Sequence, residues 1–320
     1  MMNLFFLPSR NIALTIPVLL VTGFIAGLLV DTDFLKEYIL PVTVFIMIYP
    51  TMIGFKIGEI INTKHTKLML AASVINFIVV PLLAYVLGVL FLLRDPQLFA
   101  GLAIASLLPT SNMTIAFTYF GRGNIPAAVK LTVISLVAGS LLAPWYLYVM
   151  IGGYIDIDVL SMLKTVSIVI FLPLFMGITT YYLIMKKYTR EDFDKSVKPY
   201  LPAVTAWGMV YVIFTGMSTN ARTIVSKPGL LLVSLLVWVI FYAVNYLVSI
   251  KVGRRYFNRQ DSVTLVFGTV LRNLAISIGL AAAVFGVTAA FMVSLAFLFQ
   301  GQSAAWFVRL NEKYSILPGE

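Results

Sequence analysis

The chain contains no cysteine, one histidine and only 13 acidic residues among its 320. Without cysteine there is no disulfide framework, thiol nucleophile or thiolate metal site. A single histidine and scattered carboxylates supply no triad, metal cluster or carboxylate pair on which an enzyme could be built, so no enzymatic activity is expected. Charge of either sign is scarce. Asp, Glu, Lys and Arg make up 11% of the chain, against roughly 25% in soluble domains. A soluble fold this poor in charge has nothing with which to cover its surface, and a disordered chain needs the opposite composition. The opening stretch, Met1 to Arg10, lacks the basic region and small-residue cleavage site of a signal peptide, so the first apolar run is expected to be retained.

What is abundant is apolar. Such residues make up 60% of the sequence, and the mean hydropathy is +0.97. An all-α integral membrane protein is the expected class. Apolar runs bounded by charges or turn residues fall near 12–30, 36–58, 67–92, 97–120, 124–151, 162–186, 200–222, 229–250, 259–285 and 288–309. Each is long enough for a helical crossing, which needs about 20 residues, so ten transmembrane helices are predicted. The net charge of +10 comes from basic residues of which all but Lys130 and Arg272 are scattered through the loops and ends, which fits the positive-inside bias of membrane proteins rather than a nucleic-acid partner. Sixteen of the 23 Lys and Arg residues fall on one side, and five (Lys36, Arg94, Lys164, Arg222 and Lys227) on the other. That excess places both termini in the cytoplasm of a multi-pass protein in the cell membrane.

The halves echo one another. A shift of 161 residues aligns Asn112 with Asn273, Ile115 with Ile276, Ala128 with Ala289, Ala143 with Ala304 and Trp145 with Trp306. It superposes the fourth run on the ninth. Five crossings per half is an odd number, so residues 1–151 and 152–320 are expected to form two repeats of inverted topology, as secondary transporters often do.

The chemistry is expected at the middle of those two runs. In the fourth, Pro109 removes a backbone donor, and Thr110, Ser111 and Asn112 are types that cap a new helix. The pattern predicts a broken helix, tolerated in a membrane only where protein or a water-filled cavity satisfies the backbone. The equivalent stretch of the ninth run carries Arg272 and Asn273. Arg272 lies about 20 Å along its span at roughly 1.5 Å per residue, where an arginine costs about 2.5–3.5 kcal/mol on insertion scales. No acidic residue lies deep in any run to pair with it. Two readings follow: a charge aimed at a substrate, or a structural arginine bonded to carbonyls freed by the break. The N-termini of the two second half-helices, positive dipole ends, are expected to face each other and, with Arg272, to attract an anion. Lys130 lies about 9 Å into the fifth run, where it either snorkels or joins this site. Thr132 and Asn76 are polar in apolar helices and serve either as interhelical bonds or as ligands. His65 sits in a basic loop and is expected to be solvated, and Gly121-Arg122-Gly123 reads as a tight turn.

These residues resemble the bile acid:sodium symporter superfamily, closest to its arsenite-efflux permease branch. The resemblance rests on Met47-Ile48-Tyr49-Pro50, Pro109-Thr110-Ser111-Asn112, Gly121-Arg122-Gly123-Asn124, Arg272-Asn273 and Ala283-Val284-Phe285-Gly286. It implies a core and a panel domain drawn from both repeats, broken and crossing fourth and ninth helices, and alternating access. It also implies that Ser111, Asn112 and Thr132 match sodium-binding positions, with Asn76 near a further ligand and Ala128 in place of a serine. Gly268 stands where the resemblance implies an acid shared by the sodium sites, and Arg272 where it implies a glutamine. Sodium dependence is therefore expected to be lost or altered, and no cofactor is expected. The arsenite branch relies on a cysteine that this chain lacks. The first expectation is a secondary transporter for a small organic anion, working in the bilayer. The alternatives are an arsenite or metalloid efflux permease and a sodium-coupled bile-acid-type symporter. A channel should show a continuous polar path, and a receptor a signalling domain; the sequence shows neither.

Overall fold

Proline shapes the long helices. In the computed structural model, which describes residues 2–54, 65–155 and 158–317, several helices widen locally just before a proline. The wide turns Val42–Ile48, Ile75–Val79 and Ser167–Phe171 each end two residues before one: Pro50, Pro81 and Pro173. A proline ring clashes with the carbonyl one turn back and offers no N–H. Opening the turn lets the helix continue, and inside a membrane such adjustments re-satisfy the freed backbone groups.

The chain forms helices α1 (Ile12–Leu29), α2 (Asp33–Met52), α3 (Thr66–Leu92), α4 (Pro96–Leu107), α5 (Asn112–Phe120), α6 (Ile125–Ile151) and α7 (Val159–Met185). The second half continues with α8 (Leu201–Ser226), α9 (Pro228–Tyr256), α10 (Arg259–Val270), α11 (Leu274–Phe285) and α12 (Val287–Tyr314). Short helices precede α1 and α8, and no strand occurs among the described residues. Seven of these helices are long and apolar enough to cross a membrane, and three shorter apolar ones accompany them. The protein is an all-α, multi-pass membrane protein. The fourth and ninth apolar runs are each two helices, α4/α5 and α10/α11, interrupted at 108–111 and 271–273.

Two compact units divide the chain. The first comprises residues 1–55, 157–231 and 275–294. Its helices pack through missing side chains: a Cβ on Gly27 of α1 would stand 1.9 Å from the Ser218 carbonyl oxygen of α8, and one on Gly177 of α7 would stand 2.7 Å from Met52 of α2. Where lipid tails are as apolar as the side chains, such close backbone packing is what holds helices together. The second unit comprises residues 56–156, 232–274 and 295–320. It contains both helix breaks and every contact of the site described next.

Candidate functional site

The first break is built by four consecutive residues. Pro109 cannot donate, and α4 stops at Leu107. Thr110 then takes a left-handed backbone, φ +63°, and is buried. That conformation is rare for a β-branched residue, and it turns the chain sharply. Ser111 is fully extended and caps α5: its Oγ accepts from the Met113 N–H at 3.2 Å, while the Ser111 N–H donates to Thr114 Oγ1 at 3.1 Å. The pair forms a reciprocal capping box.

The second break crosses the first. The Thr110 N–H donates to the Leu271 carbonyl at 2.9 Å, the Asn273 N–H donates to the Leu108 carbonyl at 2.8 Å, and Pro109 and Arg272 form an antiparallel bridge. Each break thus supplies the backbone partners the other lacks, which a buried main chain requires. Thr110 stands opposite Leu271, and these two are separated by 161 positions, the shift that aligns the halves in sequence.

Arg272 is fully buried. Its Nη2 donates to Asn76 Oδ1 at 2.7 Å and its Nη1 to the Ser106 carbonyl at 3.2 Å, with a looser contact from Nε to the Val270 carbonyl at 3.5 Å. Asn76, fully buried in α3, uses its other end to donate to the Gly268 carbonyl at 2.9 Å. Among the described residues no Asp or Glu is buried, and no cluster of three His, Asp or Glu side chains is placed to hold a metal ion. The buried charge rests on neutral oxygens.

Gln300 of α12, which the sequence reading passed over, clamps the same residue. Its Oε1 accepts from the Arg272 N–H at 2.7 Å and from the Tyr242 hydroxyl at 3.2 Å, while its Nε2 donates to the Arg272 carbonyl at 3.1 Å. Asn245 and Ser249 of α9 steady the last turn of α10 through the Thr269 carbonyl and hydroxyl, at 2.9 and 2.6 Å. A glutamine deep in an apolar run was the available signal for this clamp.

The remaining candidates divide. Asn76, Gly268, Thr110, Arg272 and Asn273 meet at the crossover through the bonds above. Ser111 stands next to it as the cap of α5. The side chain of Asn112, the first residue of α5, lies outside the described residues. Thr132 spends its hydroxyl hydrogen on the Ala128 carbonyl of its own helix at 2.8 Å. Lys130 is buried, with 6% of its surface exposed, so its side chain does not snorkel out. At Gly268 a Cβ would meet Leu131 Cδ2 at 2.3 Å, so Leu131 fills the space a side chain there would take. His65 corrects an expectation: it is half-buried, and its Nδ1 lies 3.2 Å from Asn124 Nδ2, which also donates to Asp261 at 2.9 Å. The tight turn at Gly121-Arg122-Gly123 is present, with Arg122 left-handed.

Gly139 of α6 lies 161 positions before Gln300 and faces the other break. A Cβ there would stand 2.6 Å from the Leu107 carbonyl oxygen. Gly139→Ala is therefore expected to push α6 off the break and to destabilise the protein by about 1–3 kcal/mol. A thermal unfolding curve of the purified variant checks this; a melting temperature equal to wild type would mean that α6 moves away freely.

Residues 41–227 match the model of the Sodium Bile acid symporter family. The stretch includes Asn76, the first break, Lys130 and Thr132; Gly268, Arg272 and Gln300 lie beyond it. The chain is 24% identical over 256 residues to the uncharacterized protein YbaS of Bacillus subtilis, covering 80% of this chain and 82% of that one. It is 23% identical over 261 residues to the arsenical-resistance protein Acr3 of Corynebacterium glutamicum, covering 77% and 70%. It is also 23% identical over 287 residues to the probable sodium/metabolite cotransporter BASS1, chloroplastic, of Arabidopsis thaliana, covering 87% and 68%.

Proposed function

Because the chain belongs to the Sodium Bile acid symporter family, we propose that it is a secondary transporter that moves a small organic anion by alternating access and does not depend on sodium. The observation that carries this reading is Arg272, a fully buried cation in a protein with no buried carboxylate among its described residues. Each break sets the negative end of one half-helix beside the positive end of the next. Arg272 donates to the Ser106 carbonyl, in the last turn of α4, and reaches the Val270 carbonyl that closes α10, and so offsets the negative ends. The positive ends then dominate, and Ser111, Asn112 and Asn273 at the starts of α5 and α11 supply the donors for an anion. Thr110 sets their spacing, and Lys130 adds a second buried positive charge.

The same charges argue against a coupling cation. Gly268 brings no carboxylate, and each fixed positive charge raises the cost of bringing in a cation at low dielectric. Asn76, whose side-chain oxygen and nitrogen are both bonded, and Thr132, whose hydroxyl hydrogen is used within its helix, are then structural supports rather than ion ligands. Ten crossings in two inverted five-helix repeats accompany this reading. It draws support from the crossover, where one of the residue pairs across the two breaks, Thr110 and Leu271, is also related by the repeat shift. The basic asymmetry of the loops supports cytoplasmic termini in the cell membrane.

Efflux of arsenite is the second reading, favoured by the name of the Corynebacterium relative and weakened by the lack of cysteine. A thermal-shift screen of the purified protein against organic carboxylates and sulfonates, sodium and arsenite separates the two, because a ligand stabilises the state it binds. The expected result is stabilisation by one anion class and none by sodium. Stabilisation by arsenite or sodium alone would overturn the proposal.

A further inference from the structure

The group that Arg272 carries sits where two helices end. α4 closes at Leu107 and α10 at Val270, and the last carbonyls of a helix have no partner within it. Ser106 and Val270 contribute two of these carbonyls, and α3 adds the side-chain oxygen of Asn76. Three neutral oxygens from three helices, all in one compact unit, therefore converge on one fully buried guanidinium. The three oxygens meet three nitrogens of a guanidinium, but nothing in this ligand set requires that the guanidinium be attached to the chain. Uncharged oxygens at helix C-termini form the kind of environment in which broken helices hold monovalent cations. The guanidinium differs from a free ion in being attached to the chain, so that it cannot leave.

We propose that Arg272 is a tethered cation, and that removing its side chain opens a binding site for a free monovalent cation, guanidinium above all. Asn76 is the adaptable ligand of that site, held in place by its own bond to the Gly268 carbonyl at 2.9 Å. The clamp from Gln300 acts on the main chain of residue 272, on both its N–H and its carbonyl. It is therefore retained when the side chain is cut back to alanine, and the oxygens stay in register. The inference does not rest on the anion reading: it concerns no substrate, and its test reads stability rather than transport.

The experiment is a thermal unfolding series on purified Arg272→Ala and on wild type, in guanidinium, sodium or choline chloride at equal, sub-denaturing ionic strength. The expected result is a saturable rise in the melting temperature of Arg272→Ala with guanidinium, recovering at least half of what the substitution removed. A smaller rise is expected with sodium and none with choline, while wild type shows no saturable rise in any of them. If Arg272→Ala aggregates, it is prepared in guanidinium and in choline side by side, and Arg272→Gln is titrated in the same three salts. Recovery in guanidinium alone, or a saturable response of Arg272→Gln to guanidinium or sodium over choline, supports the proposal. Superimposable curves in all three salts for every variant that folds, or aggregation of Arg272→Ala in both preparations with an unresponsive Arg272→Gln, overturn it.

Discussion

Arg272→Ala is expected to abolish transport of the anionic substrate and to lower thermal stability as well, whereas Arg272→Lys keeps part of both. The alanine variant leaves the Ser106 and Val270 carbonyls and Asn76 Oδ1 without the donor they face, and each buried polar group so stranded costs about 1–3 kcal/mol. It also removes the charge that offsets the negative helix ends, so these again balance the positive ends and only Lys130 is left to bias the crossover toward an anion. Lysine restores the charge as a point rather than a planar fork. It reaches fewer of the three oxygens at once, and transport should weaken without vanishing. Initial uptake rates at equal reconstituted protein, set beside melting temperatures, check the pair. An alanine variant that transports at the wild-type rate would remove Arg272 from the mechanism.

Asn76 should be nearly as sensitive. Asn76→Ala takes away a hydrogen bond to a buried charge and leaves the Gly268 carbonyl unpaired, a loss of about 3–5 kcal/mol when the two contributions are combined. Asn76→Asp separates structure from electrostatics. It keeps an acceptor for Arg272, loses the donor to Gly268, and brings a negative charge that cancels the guanidinium. The aspartate variant is expected to melt above the alanine variant yet to transport no better. Chemical denaturation and uptake on the same preparations read both quantities; full transport by Asn76→Asp would show that the net charge at the crossover is irrelevant.

The two breaks were legible in the sequence because their causes are local. Pro109 followed by three capping residues stops one helix and starts another whatever surrounds it, and Arg272 announces itself by being charged in an apolar run. The shift of 161 positions that aligns the halves in sequence is also the separation of Thr110 and Leu271, which pair across the breaks. What surrounds Arg272 was not legible. Its two closer acceptors come from α3 and α4, 196 and 166 residues away, and only the packed fold brings them together. The sequence offered two roles for this arginine, substrate charge or structural anchor. The geometry shows the anchor, and the proposed function joins the two, since an anchor on the negative helix ends would free the positive ends. Gln300 was missed because one amide in an apolar helix gives no hint of its partner. The difference between Asn76 and Thr132 was hidden for the same reason. Both are single polar residues in apolar helices, but one reaches across to α10 and the other bonds back to its own turn.

Sodium-independent anion transport is tested most directly by uptake of the anion selected by the binding screen into proteoliposomes, with and without an inward sodium gradient, at a fixed membrane potential. Uptake is expected in sodium-free buffer, at a rate that the gradient leaves unchanged. Uptake that appears only with the sodium gradient and rises steeply with it would contradict the claim that the protein's own buried cation has taken over the charge at the crossover.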